Sequence, residues 1–508
     1  MQSIPFDSKR ATAFITELRK YLQFHSTTEV LKNPPSGYLS RPVDLWGDLD
    51  HINQLAAGNK YANQADFDED IYNLFSSAND GHLSIKGLCS QQLFVYLTTM
   101  PVVSVSADGL QLPEIYSARK SILMPMFRQL SLISFSDDAE LLGDNSHNVS
   151  PIVSVNGQDA VSFFKDQASK QTFQDPDAQY NSVFKTFSRS GFSSSHVLGG
   201  MWQESVVWPG HSKYTFKFGN GTTRHAETKA VPSKSTKKID FNFSNGKALF
   251  NALCAPEKHT SSSATPSTSA TPSSSSSALR SATPTPSSSS SLPVKAAPTE
   301  LPKPVVREPE NLISGYYLHE KGLEDVAVLL VPTFTVNSGP QYISFSTYAA
   351  KFIKQAAKDG KKRLVVDVTG NPGGTVNAGY DLFKQLFPNK PIYAAGRFRA
   401  HEAMDFVGQA LATLESESEL SLINGLAVGA AVTPNQTYNF QSWAEEYGPY
   451  EQLGTNVSSL FASNFSIVST PKVPIHGYSD SKVKHEPPFK PENILLVSLR
   501  YPYATIHF

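Results

Sequence analysis

The stretch Arg363 to Gly374, RLVVDVTGNPGG, sets an Asn-Pro-Gly-Gly turn directly after an apolar run. Acyl transfer needs preorganised N–H donors where negative charge develops on oxygen. Gly373 and Gly374 lack a Cβ, so the backbone can turn there and expose such N–H groups. A second chemically capable group is His82, in Asp80-Gly81-His82. There a helix with Phe67, Ile71, Leu74 and Phe75 on one face runs out, and the glycine can serve as its C-terminal cap. That places an imidazole on a short, defined turn. No lysine follows Gly374, so the turn is not a phosphate loop. His401-Glu402 and His485-Glu486 do not continue to H-E-x-x-H and read as solvated pairs in polar loops, not metal ligands. Ser344 and Ser346 read as helix caps, and Ser498 is a candidate nucleophile only by lying near a strand. No G-x-S-x-G elbow occurs, which disfavours an α/β-hydrolase triad.

The elements around these residues read as follows. Asp7 or Ser8 caps a helix with Ala11, Phe14, Ile15, Leu18 and Leu22 at helical spacing. From about residue 96 to 235 short strands take over, such as Pro151 to Val155 before Asn156-Gly157 and Tyr214 to Phe218 before Gly219-Asn220-Gly221. Residues 260 to 305 are almost entirely Ser, Thr, Pro and Ala, a composition that buries too little apolar surface to offset its conformational entropy. Beyond it, Val326 to Val331 reads as a strand, Ser346 to Lys358 as a helix and Leu364 to Val368 as a second strand. That makes a right-handed βαβ unit on a parallel sheet. The Asn371 to Gly374 turn then lies at the carboxyl edge, where open α/β sheets carry their sites. A last strand is expected at Ile494 to Val497.

The 508 residues, 40% hydrophobic, allow about three domains. A net charge of -1 offers no basic field for nucleic acid. Two cysteines, Cys89 and Cys254, exclude a disulfide scaffold and a CxxC pair, and leave one disulfide open. No apolar run is long enough to span a membrane, and no signal peptide is visible at MQSIPFDSKR. Asn220, Asn242, Asn435, Asn456 and Asn464 lie in N-x-S/T sequons, which carry little weight in a chain so rich in Ser and Thr. No cofactor or metal is called for, and the oligomeric state is open.

Three separated blocks carry a resemblance to fungal S41 (tail-specific-like) peptidases related to the chlamydial secreted protease. They are PPSGYLSRPVDLW (34–46) with ANDGHL (78–83), VSVNGQDA (153–160) with QDPDAQYN (174–181), and the NPGG block. The resemblance implies a multi-domain α/β and β architecture: an N-terminal helical region (1–95), a PDZ-like β-rich module (96–257), a disordered linker (258–305), and a crotonase-like α/β S41 domain (306–508). It implies that His82 is the general base for a nucleophilic serine, and that Gly373 and Gly374 belong to the oxyanion hole. It also implies a peptide or protein substrate, secretion, and for some relatives the processing of ribosomally made precursor peptides in mycotoxin clusters. The family's Ser-bearing turn and its carboxylate are expected after the Ile494 to Val497 strand. Here Ser498 is followed by LRYPYATIHF, which reads as translated intron or shifted frame. Two readings therefore stand: a serine endopeptidase, or a non-catalytic peptide-binding protein that works by β-augmentation. A sheet ending there is expected to leave apolar surface uncovered and to aggregate.

Overall fold

The computed structural model describes residues 2–85, 88–106, 111–117, 150–184, 200–202, 204–233, 236, 238–255, 294–297, 301–413, 428–478 and 486–498. Most of the Ser/Thr/Pro-rich stretch, His485 and the residues after Ser498 lie outside them.

Side-chain caps start the three long N-terminal helices. In Ser8–Leu22 the Asp7 carboxylate accepts from the Arg10 N–H. In Gln64–Ser77 the Asn63 side chain accepts from Asp66. Between them lies a helix not anticipated above, Leu45–Ala57, capped by Asp44. Its Leu45, Leu49, Ile52 and Ala56 follow helical spacing and share one core with Ile15, Phe67 and Ile71.

The β-rich region forms a six-stranded sheet in the order Gln158–Asp159, Ile152–Val155, Lys213–Phe218, Thr223–Pro232, Phe94–Thr98, Glu204–Ser205. Positive φ at Asn156 (51°) and Gly157 (85°) makes the tight reversal that this dipeptide foretold. The helices Ala160–Ala168 and Pro176–Val183 belong to this region, and Phe163, Phe164 and Val183 pack with Trp202, Tyr214 and Phe216. The chain then returns to its start: Phe250 packs with Ile4 and Leu93, and Cys254 closes a disulfide with Cys89.

Residues 306–497 build a five-stranded sheet in the order Ile494–Val497, Arg363–Asp367, Val326–Leu330, Ser314–Tyr317, Val306–Arg307. The first three strands are parallel, as the βαβ pattern required, and the other two pairings are antiparallel. The crossover helix Gly339–Lys358 begins seven residues earlier than expected, on a Ser338 cap. Ser344 and Ser346 are therefore inside the helix, not its caps. Gly315 is placed where a Cβ would lie 2.0 Å from the Phe352 ring of that helix, so helix and sheet pack as closely as a bare backbone permits.

The short helix Trp443–Tyr447 holds Glu446 with no exposed surface and, among the described residues, no partner for either carboxylate oxygen. Burial pushes its carboxyl up to about 8 from 4.5. The folded state thus holds a proton that the unfolded chain releases near 4.5, so stability falls as pH rises from there to about 8. Glu446→Gln is expected to raise the thermal midpoint, with a gap over the parent that widens between pH 5 and 8; a pH-independent gap would refute the assignment. The disulfide spans 165 residues, for which loop-closure entropy gives a stabilisation on the order of 5 kcal/mol. Cys89→Ser is expected to lower the denaturation midpoint accordingly, and reductant to reproduce the loss in the parent protein.

Candidate active site

The turn that carries His82 follows from how the helix Gln64–Ser77 ends. Asn79, not Gly81, takes the left-handed conformation (φ 53°) after the Ala78 cap, a position that asparagine tolerates. Asp80 then folds the chain on itself, its Oδ1 accepting from the His82 N–H at 2.8 Å. The His82 side chain is 62% exposed, with Nδ1 3.8 Å from the same carboxylate oxygen. The other oxygen of Asp80 lies 4.0 Å from Nε2 of His25, which also meets the Thr27 hydroxyl at 2.8 Å. Burial holds the His25 pKa below its ordinary value, with Asp80 acting in the opposite sense. No sequence signal pointed to His25, which joins this group only through the fold.

The motif blocks converge. Gln179 of QDPDAQYN donates to the Asn79 side chain at 3.1 Å and to the Phe173 carbonyl at 2.9 Å. Ser40 of PPSGYLSRPVDLW donates to the Gln174 carbonyl at 3.3 Å. The β-rich region thereby braces the Asp-Gly-His turn from behind.

The NPGG turn sits at the carboxyl end of Arg363–Asp367, beside the last strand, where Val368 N–H donates to the Val497 carbonyl. Asn371 is buried and works as a strut: its amide donates to the Val331 carbonyl at 2.8 Å and its oxygen accepts from Gly373 N–H at 2.7 Å. Phe334 N–H donates to the Gly373 carbonyl and Thr375 N–H to the Phe334 carbonyl. The two glycines consequently differ. Gly373 N–H is consumed inside the turn, while Gly374 is exposed and its N–H meets no acceptor among the described residues. Of the pair expected to supply oxyanion donors, Gly374 alone has its N–H uncommitted.

The remaining candidates are placed elsewhere. Ser344 donates to Glu308 and Ser346 to Asp381. Asp381 has no exposed surface and also accepts from Gln385 and His476. This Ser-Asp-His group is wired through the carboxylate, with no serine-to-imidazole bond, so it braces the helix Val376–Leu386 and does not activate a hydroxyl. The Asp381 hydrogen bond raises the His476 pKa. Ser498 is exposed at the end of Ile494–Val497, on the same sheet edge as the NPGG turn. His401 is a correction: it is no solvated loop residue. It precedes the helix Glu402–Leu411, both its ring nitrogens are buried, and it stacks edge-on against Phe24 with centroids 4.6 Å apart. Among the described residues, no three His, Cys, Asp or Glu side chains are grouped to hold a metal, and no helix is long and apolar enough to cross a membrane.

Gly374 has φ 140°, and a Cβ there would lie 2.2 Å from the Phe334 carbonyl carbon. Gly374→Ala is expected to cost about 3 kcal/mol or more in denaturant unfolding. Gly379→Ala, inside a helix with open space around the added methyl, should be neutral or stabilising. Equal effects at both positions would show that the turn does not need its glycine.

Two regions of the chain match known protein families. Residues 95–237 match the CPAF-like PDZ domain family and residues 325–426 match peptidase family S41. The chain is 33% identical over 474 residues to Peptidase S41 family protein phomP1' of Diaporthe leptostromiformis, covering 92% of this chain and 65% of that protein. It is 34% identical over 330 residues to Peptidase S41 family protein ustP of Aspergillus flavus, covering 63% of this chain and 64% of the relative. This chain therefore spans just under two thirds of the length of these relatives. A solved structure of mature CPAF complexed with lactacystin aligns at a TM-score of 0.43 and 15% identity, over 92% of this chain and 78% of that one. The chain belongs to the S41 peptidase family and carries a CPAF-like PDZ domain.

Proposed function

We propose that this protein acts as a serine-type endopeptidase on peptide or protein substrates, with His82 as general base and the Gly373-Gly374 turn as oxyanion-hole backbone. The observation that carries the reading is the pairing of two features. One is an exposed imidazole braced by Asp80 on a turn that two regions of the chain hold in place. The other is an uncommitted N–H at Gly374, on the carboxyl edge of a parallel sheet. With Nδ1 on the Asp80 side, the opposite nitrogen would take the proton of a serine hydroxyl as its oxygen attacks the carbonyl carbon. Gly374 N–H would then donate to the oxyanion as the C=O bond opens. Gly373 shapes the turn through Asn371. No described serine is assigned as the nucleophile.

Two finer points belong to the same proposal. The substrate is a ribosomally made precursor peptide, a reading supported by the fungal S41 relatives. The protein works in the secretory pathway or outside the cell, a reading supported by the Cys89–Cys254 disulfide, since such bonds persist in oxidising compartments.

The test is labelling by a fluorophosphonate together with hydrolysis of a fluorogenic peptide. A form that carries the family's Ser-bearing turn is expected to do both, and His82→Ala in that form to lose at least 100-fold in rate, within the range of about 10²–10⁴ that general bases supply. Undiminished labelling and turnover in the variant would remove His82 from the mechanism. Such a form that neither labels nor cleaves, yet retains peptide, would replace the peptidase reading with a binding one.

A further inference from the structure

Trp46, on the helix Leu45–Ala57, and Arg399 and His401, next to the helix Glu402–Leu411, line one cavity of about 460 Å³ together with Thr455 and Glu451 of a β-hairpin. It lies between the helical N-terminal region and the S41 region. Four of the eight buried side-chain nitrogen and oxygen atoms without a partner among the described residues belong to these lining residues: Trp46 Nε1, Arg399 Nη1, and both ring nitrogens of His401. Burying a polar atom unpaired is costly, more so beside a charge, so their concentration at one cavity calls for an explanation.

Arg399 is the centre of the group. Its guanidinium lies over the Trp46 ring, 5.4 Å from the centroid, and Nε donates to the Thr455 hydroxyl at 3.2 Å. No carboxylate among the described residues comes within ion-pair distance of it, although Glu451 lines the same cavity and is exposed. A guanidinium is always charged and matches the planar geometry of a carboxylate. His401 adds a ring that burial and the neighbouring guanidinium both keep neutral, hence one N–H donor and one acceptor. Trp46 adds a donor only. The site thus offers one positive charge and up to three kinds of N–H donor.

We propose that this cleft binds a carboxylate-bearing ligand, with Arg399 engaging the carboxylate and Trp46 and His401 completing its shell. A single cation beside Glu451 suits a monoanion better than a phosphate dianion. The volume exceeds what a bare carboxylate fills and accommodates a body of amino-acid size. The ligand would bridge two regions of the chain, and His401 meets Phe24, whose neighbour His25 approaches Asp80 of the His82 turn. Binding is a property of the cleft itself and does not depend on hydrolysis.

Calorimetric titration of the full chain tests it, with acetate, N-acetylglycine, N-acetylglycinamide, inorganic phosphate, and an end-amidated peptide containing one glutamate. N-acetylglycine is expected to bind at least tenfold more tightly than its amide and more tightly than phosphate. Arg399→Gln should weaken it at least tenfold at an unchanged thermal midpoint, and Arg399→Lys should weaken it less. Among the acids, preference for acetate would identify a free acid, for N-acetylglycine a chain-terminal carboxylate, and for the glutamyl peptide a side chain. Equal binding of acid and amide, tighter binding of phosphate, no binding of any acid at millimolar concentration, or an Arg399→Gln variant that binds like the parent would each overturn the proposal. Because the acid–amide comparison uses the parent protein, it holds even if a variant fails to fold.

Discussion

The contact on which the carboxyl edge of the parallel sheet depends is the passage of the Phe334–Thr335 backbone across Gly374, so close that a single Cβ would sit 2.2 Å from main-chain atoms. That approach forms the bridge between Phe334 and Gly374, directs the Gly373 carbonyl inward to Phe334, and leaves the Gly374 N–H on the outside. Asn371 fixes the other side of the turn by joining it to the Val331 carbonyl of the neighbouring strand. The turn is therefore preorganised by its own sheet. Preorganisation of this kind is what allows a backbone donor to stabilise developing charge without reorganising during the reaction.

The imidazole side of the site is built on a different logic. His82 stands on a turn whose geometry comes from Asn79 and Asp80, and whose position comes from the Gln179 amide reaching across from the β-rich region. The disulfide and the packing of Phe250 on Ile4 and Leu93 bring the end of that region back to the helices. Helical region and β-rich region thus support the turn jointly. The separated PPSGYLSRPVDLW, ANDGHL and QDPDAQYN blocks share a physical cause: Ser40, Asn79, Gln174 and Gln179 meet through hydrogen bonds.

Buried polar atoms divide into two kinds here. Asp381 is fully satisfied by Ser346, Gln385 and His476, and such a network specifies a unique packing of the helix Val376–Leu386. Among the described residues, Glu446, Arg399 and His401 are left short of partners, as is the Oε1 of Gln385 beside Asp381. For Glu446 the chain resolves the deficit by keeping the proton. At Arg399 no such escape exists, because a guanidinium stays charged, and the residue lines a cavity.

The sequence alone determined what depends on local chemistry. Apolar runs placed the strands Val326–Leu330, Arg363–Asp367 and Ile494–Val497, Asn156-Gly157 marked its turn, and the three separated motif blocks carried the family likeness. Helix limits were less legible, since the crossover helix starts at Gly339 on its Ser338 cap, seven residues before the Ser346 start expected, and Leu45–Ala57 begins only at the end of a motif block. Tertiary structure alone decided which groups act together. That the Gly373 carbonyl is bonded to Phe334 and that Gly374 is bridged to the same residue depends on where residues 333–335 pass. That Ser346 serves a buried carboxylate, and that His401 is enclosed, depends on partners 35 and 377 residues away in the chain, Asp381 and Phe24. Period and propensity act over a few residues, whereas the partner of a hydrogen-bonding group is chosen by packing, which no local pattern encodes.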